Sequence, residues 1–517
     1  MIDYAEIEAE LQEFEAQERR RLGLEEEKVA HWHDRNPQAF TRAERETTTI
    51  LLGGLTLAHD TLVTGAMAGL GYKVQALDCP DTEALRFGKE FGNRGQCNPT
   101  YFTVGNLIKQ LTHLRDKEGI PVRDIIRDNV FVTAGACGPC RFGTYVTEYR
   151  KALVDSGFDG FRVLLFQQQG GLKQATGEAA GLEINGAFFK GLLQAVMAGD
   201  CLNLAGYRIR PYEKVRGQTD AALEECTALL RETLQRRKSV LAALLRCRKI
   251  LNRVEVDRLQ PKPKVSIIGE FWAMTTEGEG NYRLQRFLEA EGAEVDIQPV
   301  TAWALYNIWE HQHDTRKRLE LRGADEGVVG LKGKDGRKKL ALLWAAEKAV
   351  RAVFGLYARA IGLGAYPLPS MDEVAAISHQ YYDNHLRGGE GHMEVGKLIQ
   401  TVQQRKAHMV ISVKPFGCMP SSGVSDGIQS LITSRYPEAL FTAIETTGDG
   451  EVNVQSRIQM DLFKARKKAE AEFAKAVERA GRPTKVPSRA LHYPSHVVAG
   501  TAANQVLESA GIREWNG

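Results

Sequence analysis

The sequence predicts an α/β protein built from two doubly wound parallel-sheet domains, with a helical linker between them and a helical insertion in the second. Three observations carry this. Apolar runs of strand length, rich in Val, Ile and Phe, are each followed by a Gly- or Pro-bearing loop and then a stretch of helical periodicity. The pattern occurs twice, on either side of a helical segment that ends at Pro261 and Pro263. The length of 517 residues is enough for two such units with sizeable cores.

The elements follow in order. Residues 1–45 are dense in Glu and Arg, with Ile7, Leu11 and Phe14 at helical spacing, and read as an amphipathic arm that either docks on a partner or stays solvated. The first α/β domain covers 46–212. It opens with the strand Thr47 to Leu52, the Gly53-Gly54 loop, a helix around Asp60 to Gly69 and a second strand Tyr72 to Leu77. That loop lacks both the dinucleotide spacing and a Walker Lys, so no nucleotide site is assigned there. A helix is expected from Thr103 to Lys117, a buried strand over Asn129 to Thr133, a helix from Thr144 to Ser156 and a strand from Phe161 to Phe166. Residues 213–262 form the helical linker.

The second domain, 263–460, repeats the plan. Its strands are Lys264 to Glu270, Ala293 to Ile297, His408 to Val413 and Ala439 to Ile444. A basic helical insertion spans 301–385, and its run Lys332 to Lys339 reads as a solvated loop or an anion-facing patch. A charged helix from Gln455 to Glu478 opens the C-terminal segment 461–517, whose tail carries no chemical signal.

Composition narrows the function classes. The content is 43% hydrophobic, and 68 Lys and Arg against 65 Asp and Glu leave a formal charge of +3. No global charge argues for nucleic acid or a membrane surface. The apolar stretch Leu340 to Leu363 carries Glu347, Lys348, Arg351 and Arg359, so it reads as a packing helix rather than a membrane span. Eight cysteines are too sparse for a secreted disulfide scaffold, and the acidic start Met1-Ile2-Asp3-Tyr4-Ala5-Glu6 does not read as a signal peptide. A reducing cytoplasm is the expected setting.

Chemistry concentrates in the cysteines. Gly135-Ala136-Cys137-Gly138-Pro139-Cys140-Arg141-Phe142-Gly143 follows a strand, at the carboxyl edge where open α/β sheets place their sites. Two thiolates separated by two residues can hold one metal centre, serve as a redox dithiol, or lie buried and inert; the pair alone does not decide. Cys97 lies near a helix amino terminus, a setting that favours thiolate. Cys418 occupies a glycine- and proline-bracketed loop after a strand, as Cys137 does. Cys201, Cys226 and Cys247 fall in helical patterns and read as buried small hydrophobes, and Cys79 is a reserve ligand. Four loop thiols without a nearby His point to an iron-sulfur cluster or structural zinc, and ligands drawn from two domains favour a cluster in the cleft. Glu270, Glu277 and Glu279 follow a second-domain strand, and Glu390 and His392 sit in a glycine-rich loop. Glu279 and Glu390 are the candidate proton-relay residues, with plain turn formation as the alternative. Arg141 would place positive charge beside an anionic cluster, or form a surface ion pair.

At these residues the chain resembles a known family. The stretch Thr133 to Tyr145 around the cysteine pair, Gly92-Asn93-Arg94-Gly95-Gln96-Cys97-Asn98-Pro99 before it and Pro415-Phe416-Gly417-Cys418-Met419-Pro420 after it look like the 2-hydroxyacyl-CoA dehydratase and benzoyl-CoA reductase superfamily. The similarity is greatest to the portion that follows the ATP-dependent activase in large fused relatives. Gly278-Glu279-Gly280-Asn281-Tyr282 and Gly388-Gly389-Glu390-Gly391-His392 resemble that branch too. The resemblance covers roughly residues 45 to 460.

It implies tandem flavodoxin-like domains, a four-iron four-sulfur cluster between them, and single electrons delivered by a separate ATP-hydrolysing activase. It also implies pairing with a second copy or a related subunit, and a small-molecule substrate of the coenzyme A thioester class. By the family's motifs Cys97 and Cys418 match two ligands and Cys137 or Cys140 the third. Here both cysteines of the pair are present, so the cluster is either open at one iron or closed by four thiolates; a bridged double-cubane cluster would need further ligands. The expected function is the iron-sulfur component of an ATP-driven low-potential reductase or dehydratase. The alternative is a non-catalytic electron carrier or scaffold with a closed cluster, and a weaker one is a zinc-stabilised binding protein.

Overall fold

The computed structural model describes residues 4–22, 40–135, 140–167, 171–172, 181–320, 335–386, 391–483, 489–494 and 498–512. The chain divides into a unit of residues 1–36 and a compact body of residues 37–517. The first unit is helix α1 (Tyr4–Arg21), laced by Arg19–Glu15 and Arg21–Glu18 ion pairs, with Leu11 and Phe14 exposed. Its apolar stripe is too narrow to build a core of its own.

The body begins with β1 (Thr49–Leu52), α2 (Leu57–Ala68), β2 (Lys73–Ala76), α3 (Thr82–Phe91), α4 (Asn98–Asp116), α5 (Val122–Asp128), β3 (Asn129–Gly135), α6 (Tyr145–Asp155), β4 (Arg162–Gln167) and the short β5 (Gly171–Leu172). The sheet order is β2-β1-β3-β4-β5, parallel except for the edge pair β4 and β5. Ile50, Val130 and Val163 are fully buried, as expected where helices cover both faces of a parallel sheet.

Helices α7 (Gly186–Ile209), α8 (Gln218–Gln235) and α9 (Val240–Leu251) follow. The segment read as a linker is two helices, α8 packed on α2, and α9 packed on α8 and on a long helix of the second half. A Cβ on Gly65 would lie 2.7 Å from the Arg231 carbonyl oxygen and one on Gly69 2.6 Å from that of Leu234, so α2 and α8 meet backbone to backbone. Cys226 and Cys247 face each other's carbonyls across α8 and α9 and are fully buried, as is Cys201 on α7.

The second half contains β6 (Lys264–Gly269), α10 (Phe271–Thr275), α11 (Leu284–Ala290), β7 (Glu294–Ile297), α12 (Val300–Glu320), α13 (Gly336–Ile361), α14 (Met371–Ser378), α15 (Gly391–Gln403), β8 (Met409–Pro415), α16 (Met419–Val424), α17 (Ser430–Arg435), β9 (Leu440–Thr446), α18 (Glu451–Ala480) and α19 (Thr501–Ser509). Its sheet is all parallel in the order β7-β6-β8-β9, the same plan as the first four strands of the other sheet. The insertion is α12, α13 and α14; the basic run from Lys332 to Lys334 lies outside the described residues, and Asp335 caps α13. No described helix is long and apolar enough to cross a membrane.

One apolar core runs through both sheets, joining Ile50 and Leu62 to Val265 and Ile267. Asp200 of α7 clamps the start of α12, accepting the Val300 and Thr301 N–H groups at 2.7 Å each. The C-terminal tail is tied in by Glu294, which accepts hydrogen bonds from Tyr212 (2.9 Å), Thr501 (2.6 Å) and Tyr493.

Candidate functional site: the cysteine loops between the sheets

The carboxyl edges of the two sheets meet, and the loops leaving them touch. Cys97 is the N-cap of α4, with Pro99 in the first turn, where a missing N–H costs nothing. The loop before it is organised by Glu148 of α6, a buried carboxylate that accepts from the Asn93 backbone (3.1 Å), the Asn93 amide (2.8 Å) and the Gln96 amide (3.0 Å). The Asn98 N–H then donates to the Phe416 carbonyl, just after β8 of the other sheet, at 2.9 Å. Next along, Gly417 has φ +76°, and a Cβ there would meet the Gln96 carbonyl oxygen at 3.2 Å and the Cys97 Cα at 3.3 Å. Glycine is needed both for the left-handed turn and for the close approach. Cys97 lies one residue from this backbone bond and Cys418 two residues from it, and both are buried.

The second half of each domain plan supplies a cysteine loop at the same topological place. β3 leads to the Cys137–Cys140 pair and β8 to Cys418, each the third strand of its sheet, next to the point where strand order reverses. Cys137 lies outside the described residues. Cys140 is described; its sulfur accepts the Phe142 N–H at 3.5 Å, and the next residue, Arg141, donates to the Gly95 carbonyl of the Cys97 loop. The Arg141 guanidinium thus ties the paired-cysteine loop to the Cys97 loop. Among the described residues no three His, Cys, Asp or Glu side chains gather as a metal-holding group.

Electrostatics around the two buried thiols are set by burial and acidic neighbours. The Cys97 sulfur lies 3.0 Å from the Tyr145 hydroxyl and 3.1 Å from that of Thr100. Burial, then the adjacent Cys97, pushes the Tyr145 phenol upward, so it stays a donor. The Cys418 thiol is pushed up by burial first, then by Glu270 and Glu394, against the lowering contacts of Ser421. Glu270 caps α10 by accepting the Ala273 N–H at 2.8 Å, and burial raises its pKa. Asn98 Nδ2 and Gln96 Oε1, either side of Cys97, are buried polar atoms without a hydrogen-bond partner among the described residues. Such orphans call for an absent water, ion or group.

Other predicted residues have different surroundings. Glu279 accepts the Thr82 N–H at 2.6 Å and pairs with Arg283 at 2.7 Å, and these bonds hold its carboxyl below the usual range. It caps α3 across the domain joint. Glu277 accepts the Leu57 N–H at 2.6 Å. Cys79 lies beside it, and burial together with that carboxylate pushes the thiol up to about 11. Glu390 lies outside the described residues. His392 opens α15, buried between Tyr306 and Trp309 at ring separations of 4.8 and 4.6 Å, and burial drops its pKa to about 3.

Sequence reasoning passed over Tyr145, Glu148, Glu394 and Lys397. Ser421 donates to Glu394 at 2.9 Å, and Glu394 and Lys397 line a cavity of about 20 Å³ with Gly269, Gln298 and Trp303. Burial lowers the Lys397 amine to about 7. Only the short spacing of Tyr145 and Glu148 after the cysteine pair hinted at two of them.

Asp60, on α2 below the Gly53-Gly54 loop, accepts the Gly54 and Leu55 N–H groups at 3.3 Å each, and burial raises it to about 6. A carboxyl whose folded pKa exceeds its unfolded value binds its proton more tightly when folded, so stability falls as pH rises from about 4 through 6. The loss is about 3 kcal/mol at most for a shift of this size. Asp60→Asn is expected to remove that fall; urea midpoints at pH 4 to 7 that decline equally in both proteins would refute it.

Compared with known families and with curated proteins, the chain matches none.

Proposed function

We propose that the two sheets are flavodoxin-like domains and that the chain is the iron-sulfur component of an ATP-dependent low-potential electron-transfer system, of the 2-hydroxyacyl-CoA dehydratase or reductase type. The observation that supports it is the direct backbone contact between the Cys97 and Cys418 loops, Asn98 N–H to Phe416 carbonyl, at the meeting carboxyl edges of two sheets of one plan. Cys97 and Cys418 would hold a four-iron four-sulfur cluster together with Cys137, Cys140 or both. Such a cluster supplies one-electron chemistry. The chain's own part is to orient and shield. Asn98 Nδ2, buried and unpartnered, has a donor for an acceptor in the cleft, and Tyr145 donates toward the Cys97 sulfur. An activase would bring the ATP step, as this chain carries no phosphate-loop motif, and a thioester-bound acyl group is the substrate class.

Anaerobic purification with iron, sulfide and zinc analysis, and EPR of the dithionite-reduced protein, tests the reading. About four irons and four sulfides per chain are expected; zinc without iron would overturn it. Tyr145→Phe is expected to keep the iron but lower the midpoint potential, because a hydrogen bond to a ligand sulfur stabilises the reduced state. An unchanged potential would remove Tyr145 from this role.

A further inference from the structure

A second site lies at the far end of the first domain. The cavity between the C-terminal end of α2, the start of α7 and the α8–α9 turn has a volume of about 320 Å³. It sits at the opposite end of α2 from Leu57, whose N–H bonds Glu277 at the domain joint. Twelve residues of helix separate the two ends by about 18 Å. This cavity is therefore distinct from the cysteine cleft.

Its lining has one sign of charge. Lys190, Arg237 and Lys238 border it, no Asp or Glu does, and the floor is Ala66, Leu70 and Leu234. All three cations are exposed, and none makes an ion pair or side-chain hydrogen bond among the described residues. Ser239, also in the lining, caps α9, so the amino-terminal end of that 12-residue helix opens toward the same space.

The backbone holds this arrangement at a cost. After α8 the Arg237 N–H bonds the Leu234 carbonyl and the Lys238 N–H bonds the Thr233 carbonyl, both at 2.9 Å, the hydrogen-bond pattern of a helix end that normally places glycine in the left-handed position. Arg237 takes that position with φ +51°. The turn is pressed onto Gly69, whose missing Cβ leaves room for Arg237 Cγ at 3.3 Å. The strained turn thus fixes Arg237 and Lys238 at the rim of the cavity, above its apolar floor.

We propose that this cavity binds the phosphate group of a small phosphorylated metabolite, its carbon portion lying on the Ala66, Leu70 and Leu234 floor. Three exposed cations bordering one cavity, with a helix amino terminus beside them, match a multiply charged anion better than a single carboxylate. The volume, at the small end of ligand pockets, suits a metabolite rather than a nucleic acid or a whole coenzyme.

Isothermal titration of the full chain with phenyl phosphate, and with phenol as its uncharged parent, tests this at low salt. Phenyl phosphate is expected to bind, weakening as salt rises, and phenol is not. The triple variant Lys190→Gln, Arg237→Gly, Lys238→Gln is expected to bind at least about tenfold more weakly. Its melting temperature should be unchanged or higher, because glycine is at ease in the left-handed position. No binding of phenyl phosphate below about 10 mM, equal binding of phenol, or unchanged affinity in the folded variant would overturn the proposal.

Discussion

Cys418→Ser is expected to strip the purified protein of its iron, with a loss of more than about tenfold in iron and sulfide per chain, while leaving the fold in place. Cys418 stands just beyond strand β8, its N–H bonded to the Pro415 carbonyl and its carbonyl accepting from Ser422, and a serine hydroxyl can take over the thiol's contacts with Ser421, so the loop is expected to keep its geometry. What the thiol alone offers is a soft ligand next to the Cys97 loop, and a serine hydroxyl does not replace it. Cys201→Ser provides the contrast. Cys201 is fully buried on α7, outside the cysteine loops, and a hydroxyl there is expected to cost about 1–3 kcal/mol of stability without costing iron. The pair separates ligation from folding, since one variant loses metal and the other loses stability. Equal iron in Cys418→Ser and wild type would remove Cys418 from the proposed cluster, and with it the interdomain contact as the support for that reading.

The sequence carried the parts of this site that are local and hid those that are not. Strand-loop-helix order placed the cysteine pair after β3, Cys97 at the start of α4 and Cys418 after β8, because β-branched runs and Gly-Pro loops are short-range signals. It did not reveal that Gly417 must be glycine to admit the Cys97 Cα, since that requirement comes from a segment more than 300 residues away in the chain. Glu279 attracted a catalytic reading through its polar, glycine-rich loop. What a loop carboxylate does depends on what faces it, and here that is the Thr82 N–H and the Arg283 guanidinium. Helices α8 and α9 looked like a linker for a similar reason. Their charges describe the solvent side, and the docking of α8 on α2 rests on Gly65 and Gly69 in another element. Lys397 was invisible: a lysine on an amphipathic helix reads as exposed, and the cavity that this half-buried residue lines is made with Gly269 and Trp303 from other elements.

Gly269→Ala is expected to be strongly destabilising for a change of one methyl group. Gly269 ends β6 with φ +130°, a conformation that L residues rarely adopt, and a Cβ there would lie 2.0 Å from the Val413 carbonyl oxygen and 2.7 Å from the Val413 nitrogen. Both are backbone atoms of β8, and the oxygen already accepts the Glu270 N–H at 3.0 Å. A flexible side chain could swing aside, but the ladder between Gly269 and Val413 cannot open without parting the two central strands. The left-handed strain costs about 1–3 kcal/mol and the forced strand separation about 1–3 kcal/mol more. A total of about 2–6 kcal/mol is a large share of the usual net stability of a folded domain. Gly292→Ala carries backbone strain without a collision: it has φ +86° with nothing within 4 Å of a Cβ, so only a strain of about 1–2 kcal/mol applies. Urea midpoints of the two variants should differ by the collision together with the greater strain at φ +130°. Since β6 also carries Glu270 toward Cys418 and β8 carries Cys418 itself, the same displacement should reduce iron retention in Gly269→Ala and leave it intact in Gly292→Ala. Equal stability loss in the two variants would show that β8 yields to the added methyl, and that the close approach of the strands does not hold the edge of the site.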